Sequence, residues 1–165
     1  MIANFLKEKK LFFLGCIIAL FVAFLDLFSK RTVFALLEAD KYNEHFIEVT
    51  GFFNLVHVWN NGVSFGMFSN FEYSKIIFSV IVAIILVIML VWLYRNRDIF
   101  LSIAIAFIIG GAIGNLFDRI KYGAVADFLD FHLASYHWPA FNIADSFVFI
   151  GVAMLLVEDL ILKKK

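Results

Sequence analysis

Asp26, Asp118, Asp127 and Asp145 each lie beside a strongly apolar stretch of the chain, where a carboxylate needs a physical reason to be. On insertion scales an Asp at the centre of a membrane helix costs about +2.5 to +3.5 kcal/mol, and nearness to an interface softens that cost. Two carboxyl groups a few ångströms apart resist ionising together, so such a pair keeps one proton between them. The bare acid then takes a proton from water and makes it a nucleophile, while the protonated acid donates to an amide carbonyl or a leaving nitrogen. That is peptide hydrolysis without a metal. Spacing alone leaves open which two of the four acids do it, and each taken singly also reads as an interfacial acid paired with Lys30 or Arg119.

Side chains three or four positions apart on a helix share a face, so Asp26 with Lys30, Asn115 with Asp118 and Asn142 with Asp145 make three polar pairs. Gly110 and Gly114 form a G-x-x-x-G step just before Asn115, which lets a second helix approach and bring its own polar end near Asp118. Gly62-Val63-Ser64-Phe65-Gly66 is spelled like a serine-hydrolase elbow, but that turn needs a strand, a following helix and a large α/β sheet around it, so a surface turn is the better reading. Ser29 and Lys30 are helix neighbours about 100° apart and do not pair directly. Asp127, Asp130, His132 and His137 have neither H-E-x-x-H spacing nor a Cys ligand. No metal or cofactor is expected there, and the two histidines read as a wet loop beside Trp138 and Pro139.

These groups need elements to hold them. Of the 165 residues, 63% are AVILMFWYC, against ~45–50% apolar in an average soluble domain. That excludes an ordinary soluble protein. No Pro-, Gly- or Ser-rich linker divides the chain, so 1–165 reads as one domain. Fourteen Lys and Arg balance fourteen Asp and Glu, which leaves no basic field to attract nucleic acid. The single cysteine, Cys16, excludes an internal disulfide.

A hydrocarbon core ~30 Å thick needs about 20 apolar residues of helix. Apolar runs starting at Leu11, Ile76, Ile99 and Ile143 predict transmembrane helices over approximately 11–28, 76–94, 99–117 and 143–160, since a spanning backbone must satisfy its own hydrogen bonds. Phe13-Leu14-Gly15-Cys16 looks like a lipid-attachment cleavage box, but the apolar run continues to Leu25, so an uncleaved helix is expected. Lys7, Lys9 and Lys10, then Arg95 and Arg97, then Lys163, Lys164 and Lys165 mark one side as cytoplasmic, with both termini on it. The connections over approximately 29–72 and 118–142 then face outward and hold all four histidines. Phe53 to Trp59, bounded by Gly51 and by Asn60-Asn61-Gly62, reads as a strand of a small sheet on the outer membrane surface.

Five blocks occur in the order found in bacterial lipoprotein signal peptidase, also called signal peptidase II. They are Asp26-Leu-Phe-Ser-Lys30, Asn60-Asn-Gly-Val-Ser-Phe65, Gly111-Ala-Ile-Gly-Asn-Leu-Phe-Asp-Arg119, Gly123-Ala-Val-Ala-Asp-Phe128 and Phe141-Asn-Ile-Ala-Asp-Ser146. The sequence resembles that family over residues 26 to 146. The resemblance implies an all-α membrane protein with four transmembrane helices and a small extracytoplasmic β-cradle, in the bacterial cytoplasmic membrane. It implies an aspartic endopeptidase that removes the signal peptide from diacylglyceryl-modified prolipoproteins by cutting just before the lipidated cysteine. Carried over by position, the catalytic pair is Asp127 and Asp145, with Asp26, Lys30, Asn60, Gly62, Asn115, Asp118, Arg119 and Asn142 shaping the site, holding substrate or securing the fold.

Membrane lipids as surroundings and inhibition by cyclic peptides of the globomycin type are implied as well. The chain departs from the family's common pattern at Leu27, where Gln is frequent, and at Val63 and Ser64, where small residues are frequent. A diacylglyceryl group in the outer leaflet would bring the scissile bond to the depth expected for the two acids. From the residues alone a different class stays open: a proton-coupled carrier or small channel using the same carboxylates. The inner halves of the spans hold almost no polar residues for such a path.

Overall fold

A computed structural model of the chain describes residues 9–39, 46–60 and 74–162. Gly62, the 62–66 run, Lys7 and the three terminal lysines lie outside the described residues.

After Leu25 the chain contains no Gly or Pro until Gly51, and the first helix does not stop where its apolar run does. Helix α1 spans Lys10–Ala39, past the end expected near 28. Two things carry it on. The charge of Lys30 is matched by Asp26 and Asp118, and the apolar side chains of Val33 and Leu37 pack on Phe128 of the sheet. Helix α2 is Ser74–Arg95. Helix α3, Ile99–Tyr122, starts on the side chain of Asp98, which accepts from the Leu101 N–H at 2.8 Å. It ends five residues beyond the expected 117, where Gly123 takes the left-handed φ of 76° and donates its N–H to the Arg119 carbonyl. Helix α4, Ile143–Val157, passes into a π-helical turn over Glu158–Leu162.

Three of these helices, α1, α2 and α3, are long and apolar enough to cross a membrane. Helix α4 has 15 residues, a rise of about 22 Å, and reaches further only through the π turn. Along α2 most side chains are exposed and apolar on every side, the pattern of a helix facing lipid. Helix α3 is central, packing on the other three helices. A Cβ added at Gly110 would collide with the Ala19 carbonyl and Val22, so glycine lets α1 and α3 touch there. At the end away from the sheet, the Lys9 ammonium lies 3.3 Å from the centre of the Tyr94 ring, beside Arg95.

At the opposite end sits a four-stranded antiparallel sheet, β1 Phe46–Thr50, β2 Phe53–Asn60, β3 Val125–Leu133 and β4 Tyr136–His137, in that spatial order. The strand expected around 53–59 is β2. The sheet makes the chain mostly helical rather than all-α. A bulge between Leu55 and Val58 shifts the β2–β3 register, so that Val58 faces Asp127 and Asn60 faces Val125.

Candidate active site

The first turn of α4 is closed by a capping box. Asn142 Oδ1 accepts from the Asp145 N–H at 2.9 Å, and Asp145 Oδ2 accepts from the Asn142 N–H at 3.3 Å. Because its oxygen is used in the cap, the Asn142 carboxamide turns its nitrogen outward. That nitrogen donates to Asp127 Oδ1 at 2.7 Å and to Asn115 Oδ1 at 3.1 Å. Asp127 is presented by β3, and its other oxygen accepts from Asn60 Nδ2 at 3.0 Å, at the end of β2. Asp145 Oδ1 accepts from Asn115 Nδ2, on α3, at 2.7 Å.

Two acids 18 positions apart in the chain are thus held by three asparagines drawn from a helix cap, a helix and a strand. Burial first, and then the negative charge of Asp145, push the Asp127 carboxyl up from an ordinary 3.8 to about 7. The donations from Asn60 and Asn142 and the charge of Lys30 oppose that rise.

The other two acids are placed differently. Lys30 Nζ lies 2.6 Å from Asp26 Oδ2 and 2.8 Å from Asp118 Oδ2, with all three side chains buried. Asp26 also accepts from the Ala144 N–H at 2.9 Å, so it holds the start of α4. Asp118 accepts from the Ala126 N–H at 3.2 Å and ties α3 to the residue before Asp127. A Cβ at Gly114 would strike the Asp26 carboxylate, so the glycine makes room for this ion cluster. Arg119 donates to the Asn115 carbonyl at 3.3 Å, and its charge interacts with Asp145, Asp127 and Asp118. Of the ten residues singled out from the sequence, nine fall in this connected region, and Gly62 lies outside the described residues.

Asp127, Asp145, Asn60, Asn115 and Arg119 line a cavity of about 740 Å³. Most of the remaining lining is apolar: Trp138, Pro139 and Phe141 from the segment leading into α4, and Val148, Phe149 and Val152 along α4 itself. The α4 wall escaped sequence reasoning because apolar residues in a membrane helix carry no sign of what they face. A second cavity of similar size lies on the sheet, lined by Phe46, Asn54, His57, Trp59, His132 and His137 among others, and neither acid reaches it. Beside it, Asp130 accepts from Asn54 Nδ2 at 3.0 Å and pairs with His137 at 2.9 Å, which pins β4 to the sheet. Among the described residues no three His, Cys, Asp or Glu side chains converge as metal ligands.

Three apolar helices of spanning length, with a cavity at one end that sets two acids among apolar side chains, define the class, a multi-pass membrane enzyme. Two solved structures, each described as a bacterial membrane enzyme, share the fold at a TM-score of 0.74 and 30% identity. One covers 89% of this chain and 92% of its own, the other 88% and 87%. A family model described as Signal peptidase (SPase) II matches residues 18–161, and the chain belongs to that family. The lipoprotein signal peptidase of Syntrophotalea carbinolica is 42% identical over 87% of this chain and 88% of its own length. That of Francisella tularensis subsp. novicida is 40% identical over 98% and 99%. The family expected from the five blocks is the one found, and the chain is a membrane protease.

Proposed function

We propose that this chain is an aspartic endopeptidase that frees diacylglyceryl-modified prolipoproteins of their signal peptides, cutting just before the lipidated cysteine with Asp127 and Asp145 as the catalytic pair. The observation that carries the reading is the bridge of Asn142 and Asn115 between the two carboxyls at the wall of one cavity. Asp127, pushed up to about 7, keeps the shared proton, and Asp145 is the base. Asp145 takes a proton from water as the oxygen attacks the scissile carbonyl, and Asp127 gives its proton to the carbonyl oxygen. Collapse of the tetrahedral intermediate returns that proton to Asp127, while Asp145 passes its own to the leaving nitrogen.

Supporting roles follow from contacts. Asn60, Asn115 and Asn142 hold the acids in register, a matter of orientation in which small misplacements are costly. Asp26, Lys30 and Asp118 secure α1, α3 and α4 around them, Arg119 offers a cation beside the cavity, and Gly62 joins the set by resemblance alone. In this reading α4 is the fourth span, both termini are cytoplasmic, and the acids meet substrate at the outer face of the bacterial inner membrane. The exposed side of α4, with Phe149 three-quarters exposed, then gives the lipid-bearing substrate and globomycin-type peptides an apolar approach. A carrier would need polar groups along the bundle, and below the acids the described α1–α3 contact is made of Ala19, Val22, Ile105, Ile109 and Gly110.

A gel-shift cleavage assay with one diacylglyceryl-modified precursor and its unlipidated twin tests this. Cleavage confined to the lipidated form is expected, and equal cutting of the twin would refute lipid-guided positioning.

A further inference from the structure

We propose that Lys30 is a positioning residue for hydrolysis: it fixes which way the Asn115 carboxamide faces and so presents an N–H to Asp145. The proposal rests on the acid-pair reading above and deepens it. An ammonium group has three donors and no acceptor. Lys30 donates to Asp26 Oδ2 at 2.6 Å and to Asn115 Oδ1 at 3.1 Å, and it forms an ion pair with Asp118 Oδ2 at 2.8 Å. The same Asn115 oxygen receives Asn142 Nδ2 at 3.1 Å, and the Asn115 nitrogen donates to Asp145 Oδ1 at 2.7 Å.

A carboxamide can be turned over with little change of shape, so its orientation is decided by what surrounds it. Turned over, Asn115 would set its NH2 against an ammonium and a second NH2, and its oxygen against a carboxylate. Every one of those three contacts is repulsive. Asn142 needs no such partner, because the backbone N–H of Asp145 already holds its oxygen. Asn142 and Asn115, which link the two acids to each other, are therefore polarised by different means, Asn142 by a helix cap and Asn115 by a buried cation on another helix. The cation also draws electrons from the Asn115 carbonyl, which strengthens the N–H facing Asp145.

A purely structural Lys30 would neutralise Asp26 and Asp118 and do nothing more. The test separates the two roles in an Asp118→Asn background, so that loss of the cation removes no more charge than has already been removed from its partners. Lys30→Met, Asn115→Ala and both together are compared there, in the full chain in lipid nanodiscs, by kcat, KM and melting. Lys30→Met is expected to lower kcat about tenfold with KM held within twofold. At about pH 6, where Asp127 stays protonated with or without the Lys30 charge, adding it to Asn115→Ala should cost nothing further, because the two then act through one hydrogen bond. Losses that multiply, or an unchanged kcat in Lys30→Met, would overturn the proposal.

A second measurement needs no variant to fold. In selectively labelled wild-type protein, nitrogen–carbon dipolar recoupling should find Asn115 Nδ2 nearer to Asp145 Cγ than to Asp26 or Asp118 Cγ. The reverse order overturns the proposal. Full activity in Asp145→Asn would instead sink the acid pair, whichever way the amide faces.

Discussion

The Asn142 side chain stands 2.7 Å from Asp127 Oδ1 while its own oxygen caps the helix that carries Asp145. One residue thus sets the start of α4 and the distance between two acids from separate elements. The two jobs come apart in substitution. Asn142→Ser keeps a capping oxygen but cannot reach Asp127, so it should melt near the wild type and lose at least about a hundredfold in kcat. Asn142→Ala should lose that activity and a further ~1 kcal/mol of stability. Melting curves and turnover on a lipidated precursor decide it, and a fully active Asn142→Ser would contradict the bridge.

The pH dependence of Asp127 has a definite sign. Its folded-state value of about 7 lies above the ordinary 3.8, so the folded protein holds this proton more tightly than the unfolded chain. The stability that the proton contributes is complete below about pH 4 and is lost as pH rises through about 7. Burial and then Asp145 raise that value, and the Asn60 and Asn142 amides and the charge of Lys30 lower it. Turnover should fall above pH 7 as the donor is lost. A thermal-stability slope between pH 4 and 7 should be shallower in Asp127→Asn than in the wild type.

Lys30→Met on its own leaves Asp26 and Asp118 as buried carboxylates without their cation. Breaking a buried pair from one side typically costs about 3–5 kcal/mol. The single variant should be markedly less stable than Lys30→Met combined with Asp118→Asn, as denaturation in detergent will read.

Gly114→Ala places a methyl group against the Asp26 carboxylate, which Lys30 and the Ala144 N–H hold in place. Overpacking of this kind costs about 1–3 kcal/mol, and here it also pushes on the start of α4. Reduced melting together with reduced kcat is expected.

Asp130 and His137 pin β4 to the sheet away from the acid pair. Asp130→Asn should leave turnover within about threefold and unchanged by chelators, whereas a metal held by Asp127, Asp130, His132 and His137 would make both fail.

The sequence is most legible where the chemistry is local. Asn142 and Asp145 stand one helical turn apart, and the capping spelling was visible as a polar pair. The four acids could not be sorted, because the partners that sort them are far away in the chain: Lys30 meets Asn115 across 85 positions, and Ala144 meets Asp26 across 118. Only the family resemblance named Asp127 and Asp145. The same blindness ended α1 near 28. Asp26, Ser29, Lys30 and Arg31 look like an exit from the membrane until Asp26 and Lys30 are seen to pair, with Asp118, inside the bundle. Strand β3 was hidden for a related reason, since Asp127 and Asp130 interrupt its apolar pattern and are satisfied by Asn60 and Asn54 of the neighbouring strand. The end of α3 was better signposted, by Gly123.

Whether Asp127 and Asp145 work as one proton-sharing pair is decided by cleavage of a diacylglyceryl-modified precursor by Asp127→Asn, Asp145→Asn and the double variant. Three folded proteins with activity equally abolished are expected, the double no worse than either single. Full activity in either single variant would contradict the pairing.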